Sequence, residues 1–590
     1  ARNLLRSDDD PVQLSARLRS APHVSEYLLR EVDAQLSQAE RAIMEGLALL
    51  AESDADQDAL EATLAMGSLY RSLIDLQRRQ MITARQLGAT LCYTQHALVR
   101  EFYQATLTRS RQRQLHHQAA DYYEHAAHDS LRAALHAQQA QEITRCLGLL
   151  TPDVQRFLFA GEAHLVQQVL DSVTSSLIQQ STVLSPALQV GLQLALGEVA
   201  AFCGQRAEAR RSFEAGLSLL TNDYDNPEQR HQVARACRGM GQLLESEQPQ
   251  TALDWLRRGL SAIGDTDPLE RARLSNRVGS IQQQLGAYAV AQTTLQAALN
   301  ILPIDHARLR ADLLVNLGAA CGAMGAYQEG RKHLREALQI VHKLGNRWLE
   351  STILQNLGII QDIMGDWASA QEHYHKALQI ADELDEARRR SDILLALGIL
   401  HTNRRQYAVA EAYLEQALAL ADSQDAQVDM VYIQASLADL YLRMGRVAEA
   451  IAVAQRAEDL AEELDERSQL PEIMCTQALV ILAEGQQHLA MARAEQALAL
   501  AHERENPESV GICLRVRAEI SLAMGDTQGS RSDCAASTSL LADNPYEQAR
   551  TRTVWGHALW LSGDHVGGAQ LVAQAQAVFA RLEEDREQGA

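Results

Sequence analysis

The stretch WLESTILQNLGIIQDIMGDWASAQEHYHKALQIAD, residues 348–382, decides the fold. Ile353, Leu354, Leu357, Ile360 and Ile363 recur at helical spacing and predict a helix A from about Trp348 to Ile363. Gly365 ends it, because glycine takes a left-handed cap without a Cβ penalty. Asp366 then caps a helix B whose apolar side carries Ala370, Tyr374, Ala377, Leu378 and Ala381. Gly358 and Ala377 are small, so the two helices can approach closely. Neither helix buries its stripe alone.

The same pattern recurs along the C-terminal two thirds. Turn markers stand at Gly286, Gly325, Gly365, Arg405, Gly445, Gly485 and Gly525; from 325 onward they fall every 40 positions. Leu317-Gly318 with Ala337, Leu397-Gly398 with Ala417, and Leu437-Ala438 with Ala457 repeat the close-approach pairs. The pattern decays outward to Gln477-Ala478, Arg517-Ala518 and Trp555-Gly556, as capping units require. Such a period predicts a right-handed solenoid of helical hairpins, each buried by its neighbours, with a long binding surface rather than a catalytic pocket.

Composition agrees. The 590 residues exceed one core, and aromatics are 4% against 46% hydrophobic residues, so Ala and Leu carry the apolar faces of helices. The net charge of −22 opposes nucleic acid and anionic lipid. No apolar run is long enough to span a bilayer. Eight cysteines form no CxxC pair, which predicts core thiols in a reduced, cytoplasmic protein. The start at Ala1-Arg2-Asn3, without Met, reads as a piece of a longer polypeptide.

The repeat resembles the tetratricopeptide repeat. Leu437-Ala438 followed by Tyr441 stands for that family's first-helix element, and Ala370 with Tyr374 for its second. The spacing here is about six residues longer, which implies longer helices and a different superhelical pitch. The resemblance covers about residues 186–580.

The first third differs. Residues 25–50 read as two amphipathic helices, and 58–66 with 68–77 as another pair. Met81 to Ala84 and Thr90 to Tyr93 alternate like strands around Gln86-Leu87-Gly88, a hairpin followed by a helix from His96 to Leu107. That order predicts a winged helix. The runs Tyr27 to Val32, Leu76 to Ile82 and Tyr93 to Phe102, then Leu115 to Glu124, resemble the winged helix of STAND-type NTPases, nearest the maltose-regulator-like group. The expected organisation is therefore all-α apart from one hairpin. Residues 1–24 are a linker or the end of an upstream domain, 25–126 the winged-helix domain, 127–185 a helical connector, and 186–590 the superhelical sensor.

The resemblance implies an NTPase domain upstream, with ATP or ADP and Mg bound there. It implies an inducer that is a protein, a peptide or a small molecule, and oligomerisation of the longer protein on activation, with the piece itself monomeric. His96, at the helix start, corresponds to a histidine that reaches the bound nucleotide in that family. No GxxxxGK[ST] stands anywhere in this chain, and no catalytic signature does either, so no enzymatic activity and no cofactor is expected of it.

Polar positions on successive A helices form the candidate ligand groove: Arg273, Asn276, Arg277, Asp312, Asn316, Gln355, Asn356, Asp362, Asp392, Asn403, Asp439 and Arg443. Amides among them can donate and accept together, which suits an extended main chain. His116, His117, His125, His128 and His136 invite a metal reading, but no Cys or acidic ligand set with a firm second shell is evident, so they read as surface histidines and no metal is expected. Arg71, Arg78 and Arg79 are the residues through which a winged helix would meet DNA phosphates, against the opposing charge of the array. A plain interaction scaffold is the remaining reading.

Overall fold

Ser37 caps the helix Gln38–Leu49 with a capping box. Its hydroxyl accepts from the Glu40 N–H, and the Glu40 carboxylate accepts from the Ser37 N–H at 2.8 Å. In this computed structural model, residues 24–50, 55–87, 90–180, 183–220, 226–464, 470–503 and 506–584 are described. The expected linker up to residue 23 and Gly88 of the hairpin turn lie outside them. The chain forms two compact units, residues 1–244 and 245–590.

In the first unit, helices Val24–Ala34, Gln38–Leu49, Gln57–Leu64 and Tyr70–Arg78 precede an antiparallel hairpin of Ile82–Leu87 and Thr90–Gln95. Strand pairing runs from Ile82 opposite Gln95 to Leu87 opposite Thr90, so Gln86 and Leu87 belong to the strand and the turn follows them. The Tyr93 N–H donates to the Ala55 carbonyl at 2.8 Å, tying the hairpin to the segment before the third of these helices. Ile43, Met44, Leu60, Leu73, Leu76, Ile82, Tyr93 and Tyr103 make one core. The Tyr103 hydroxyl donates to Asp33 at 2.9 Å across that core.

His116 and His136 depart from the surface reading. They are buried, and their rings stack with Nδ1 atoms 3.0 Å apart, one donating and the other accepting. Such a bond needs at least one ring to leave its Nδ1 unprotonated. Burial holds His116 down to about 4 and His136, with His116 and Arg132 adding to the effect, to about 3. The reason sequence missed this is that helix Arg109–His125 packs against helix Ser130–Gln139, and the histidines are the residues at the seam.

The second unit consists of helical hairpins. Helix Arg347–Ile363 pairs with Trp367–Glu383, and the units on either side keep the same design, mostly with 17 residues per helix. A Cβ on Gly358 would stand 2.5 Å from Tyr374, and one on Gly398 2.5 Å from Leu414, so a large B residue fills the notch that each glycine leaves. At the turn, the Gly365 N–H reaches the Asp362 carbonyl and the Asp366 N–H the Gln361 carbonyl, at 2.9 and 2.8 Å. Arg405 fills the same turn position with φ 57°.

The array closes on itself within this unit rather than remaining an open groove. Tyr546, Leu582 and the flanking Val578 and Phe579 join Trp367, Tyr374 and Leu397 in one apolar cluster. The Trp367 and Tyr546 rings meet edge to face at 5.7 Å. Gly365 lies at this closure, where an added Cβ would meet Leu582 at 2.6 Å and Pro545 at 2.8 Å.

Two outcomes follow. Gly365→Ala and Gly445→Ala both force a non-glycine residue into left-handed backbone, costing about 1–2 kcal/mol, but nothing lies within 4 Å of a Cβ at Gly445. Urea unfolding should therefore find Gly365→Ala the less stable, with faster amide exchange in 545–561; equal losses would show that the closure adds nothing. For the histidine pair, an unfolded histidine gains a proton below 6.5 while the buried rings stay neutral. Stability of the first unit is whole above that value and falls as pH drops towards 4. The variant His116→Leu/His136→Leu should show a shallower acid loss by amide exchange in helix Arg109–His125, and an unchanged pH slope would refute the assignment.

Candidate ligand cavity in the repeat array

Closure brings opposite helix ends together. Asp362, Asn403 and Arg443 stand in the last turns of three consecutive A helices, Arg347–Ile363, Ala387–Asn403 and Gln427–Arg443. Glu472, Glu508 and Glu547 stand in the first turns of three later ones, Leu470–Ala483, Pro507–Ala523 and Pro545–Leu561. Between the two sets lies a cavity of about 280 Å³, with Ile363, Ile399, Ala435, Leu479 and Ile512 supplying its apolar wall. Helix N-termini favour the glutamates and a helix C-terminus favours Arg443, whereas the C-terminal turn that carries Asp362 disfavours its charge.

The cavity has two electrical halves. In the acidic half, Asp362 is 8% exposed and its Oδ1 has no hydrogen-bond partner. Burial, with the Glu508 charge, pushes its pKa up to about 7, while Arg404, Trp367 and Asn403 oppose the shift. Glu508 accepts from Asn544 at 2.8 Å and from the Tyr327 hydroxyl at 2.9 Å, and burial raises its pKa too. Glu472 accepts from the Ser509 hydroxyl.

In the basic half, Arg515 and Arg550 hold Glu547 at 3.0 and 2.7 Å. Arg443 pairs with Asp439 at 2.8 Å and donates to the Tyr546 hydroxyl at 2.6 Å. Burial alone would raise Glu547, yet Arg550, Arg515 and Arg443 hold it down at about 2. Taking this many charges out of water is poor as a stability device. It suits a preorganised polar site.

Of the groove residues expected from sequence, Asp362, Asn403, Asp439 and Arg443 line this cavity. Arg273, Asn276, Arg277, Asp312 and Asn316 lie upstream and engage one another or their neighbours. The Asn316 amide donates to Asn276 at 2.9 Å, Arg277 meets Glu245 at 3.3 Å, and Arg273 meets the buried Glu270 at 3.4 Å. Asp312 is raised by burial against Arg308 and Arg277. Gln355, Asn356 and Asp392 are half-buried earlier on the helices that carry Asp362 and Asn403 and do not line the cavity; burial and Asp429 raise Asp392 to about 6. Sequence reading missed Glu472, Glu508, Arg515, Tyr546, Glu547 and Arg550. The glutamates carried a signal, but an acid in a helix first turn is ordinary and points nowhere by itself.

A larger open cleft of about 620 Å³ runs between B helices past His342, Lys343, Arg347, Glu350 and Lys376. Its charges are paired on the surface, with Arg347 on Glu350 and Glu383 and Lys376 on Glu372. The cavity lined by buried charges is therefore the stronger site. In the first unit, His96 caps the helix after the hairpin: its Nδ1 accepts from the Leu98 N–H at 3.3 Å, and the side chain is exposed. Arg78 and Arg79 face acids there, Asp75 at 3.7 Å and Glu40 at 3.4 Å.

Models of the tetratricopeptide repeat match residues 309–383, 363–423 and 431–464. The chain carries tetratricopeptide repeats. No curated protein sequence matches it. Among solved structures, it is similar to a Signal Transduction ATPase with Numerous Domains (STAND) protein with a tetratricopeptide repeat sensor from Pyrococcus horikoshii. The two are 16% identical over 75% of this chain and 68% of that one, with a TM-score of 0.53. A Rap protein complexed with Competence and Sporulation Factor is 16% identical over 61% of this chain and 100% of that one, with a TM-score of 0.51. At these identities the likeness is one of fold. Among the described residues, no helix is long and apolar enough to cross a membrane.

Asp362 gives a test with an unusual sign. Its folded pKa of about 7 exceeds the ordinary 3.8, so the protonated acid is stabilised and the contribution is lost as pH rises through 7. Asp362→Asn should leave stability unchanged near pH ~4 and raise it at pH ~8 by on the order of 2 kcal/mol. A variant equally destabilised at both pH values would show that the carboxylate is charged and paired.

Proposed function

We propose that this chain is the signal-sensing and autoinhibitory region of a STAND NTPase, and that its inducer binds in the cavity closed by the array. The carrying observation is the cavity itself, whose lining includes Asp362 with an unpartnered, buried carboxylate oxygen, the arginines Arg443, Arg515 and Arg550, and apolar side chains. A volume of about 280 Å³ admits a small molecule or the end of a peptide rather than a folded surface. The fold likeness to a STAND protein with a tetratricopeptide repeat sensor supports the wider assignment.

In this reading the hairpin and its helices act as a winged helix that clamps an upstream nucleotide domain. A neutral His96 ring that accepts at Nδ1 carries its proton on Nε2, a donor for a phosphate oxygen. ATP or ADP with Mg would be held upstream, since this chain has no phosphate-binding loop. Ligand binding shifts a two-state equilibrium only by its differential affinity, so inverting the closed state takes about 5.5 kcal/mol. Nucleotide exchange and oligomerisation would follow opening. The rival is an interaction scaffold without nucleotide coupling, which needs no cavity lined by buried charges.

Filling the cavity separates the two. Native mass spectrometry of the chain, incubated with a low-mass filtrate of cell extract, should find a bound species that is lost in Ala435→Trp with helical content retained. Binding of macromolecules alone, unaffected by Ala435→Trp, would favour the scaffold.

A further inference from the structure

A second cluster lies away from the cavity, on the hairpin of helices Ala307–Ala323 and Tyr327–Leu344. The ligand atoms of Cys321, Glu329 and His333 all lie within 4.8 Å of one another. Glu329 and His333 are one turn apart on one helix face, with His333 Nε2 3.7 Å from Glu329 Oε1. That Nε2 is buried and makes no hydrogen bond. Cys321 is fully buried, and the Gln292 amide approaches its Sγ at 3.6 Å. Glu329 is 53% exposed and opens a path from solvent.

Neighbouring units show what this position does otherwise. Forty residues on, Gln361, Ser369 and His373 occupy the same slots, and the His373 Nδ1 is taken by the Ser369 carbonyl at 2.8 Å. Eighty residues on they are His401, Val409 and Tyr413, where His401 bonds Gln406 at 2.5 Å and stacks on Tyr413. All three slots hold metal-ligating side chains in the 307–344 hairpin and in neither of these two.

We propose that Cys321, Glu329 and His333 bind a divalent cation of borderline softness, zinc above all. A thiolate, an imidazole and a carboxylate are its preferred donors. Bonds of about 2.0–2.3 Å set tetrahedral donors about 3.3–3.7 Å apart, so the His333–Glu329 pair already fits and the rest of the cluster closes by up to about 1 Å on binding. Three protein ligands leave a fourth position to water. Binding forms a sulfur–metal bond and releases the thiol proton to solvent. Because the thiol must lose its proton to bind, affinity falls as pH falls. The cation would pin one helix to the other within this hairpin. It would thereby fix the helix whose first residue, Tyr327, reaches Glu508 in the cavity wall.

This inference does not depend on the proposed function. Its test is titration of the reduced full chain with cobalt(II), then with zinc. A thiolate-to-cobalt charge-transfer band should rise to one equivalent, yield to zinc, and weaken about tenfold per unit of falling pH. Cys321→Ser should lose the band, while Cys475→Ser, a control on another buried thiol, should keep it. His333→Gln should weaken binding by at least about tenfold, and decides the matter if Cys321→Ser fails to fold. Absence of the band, its persistence in Cys321→Ser, or unchanged affinity in His333→Gln overturns the proposal.

Discussion

The second unit depends on one steric constraint: a glycine on helix A that receives a large side chain from helix B. Gly279 receives Leu295, Gly318 Leu334, Gly358 Tyr374 and Gly398 Leu414, each so tightly that a Cβ would lie 2.5–2.6 Å from the partner. Interiors packed at this density do not absorb an extra methyl without moving backbone. In these four pairs the notch therefore fixes how near the two helices close. Repetition of one local geometry turns a hairpin into a superhelix.

Curvature then creates what no single repeat contains. Each A helix contributes an ordinary polar residue at one end. After one circuit, the C-terminal ends of early helices face the N-terminal ends of later ones, and Asp362, Arg443, Glu508 and Glu547 come together. Low dielectric makes these charges matter: Asp362 is pushed up to about 7 while Glu547 is held at about 2 within the same wall. The difference is one of company. Asp362 has a carboxylate near it, and Glu547 has three guanidiniums.

The closing contacts give the cavity a means of responding. Trp367, Tyr546 and Leu582 join segments about 180–215 residues apart in sequence, and Tyr327 with Glu508 spans 181. A ligand that competes for Glu508 or for the arginines acts on the residues that hold the array shut. Coupling by this route needs no signal carried through each repeat.

Sequence by itself determined the repeat, its helix pairs and the turns, because these rest on contacts within about forty residues and on backbone chemistry that each residue type carries with it. The hairpin and its flanking helices were legible for the same reason, apart from the end of the first strand at Leu87. Sequence marked the glycines but paired them with alanines, whereas Tyr374, Leu334 and Leu414 fill the notches. Four of the expected groove residues proved to share a cavity, since their spacing placed them on one edge of successive helices. Tertiary structure alone decided that the groove closes, which glutamates face it, and that His116 and His136 meet in a core. Those outcomes depend on the accumulated twist of many repeats or on which faces of two helices meet, and a small angle per repeat leaves no mark on residue identity.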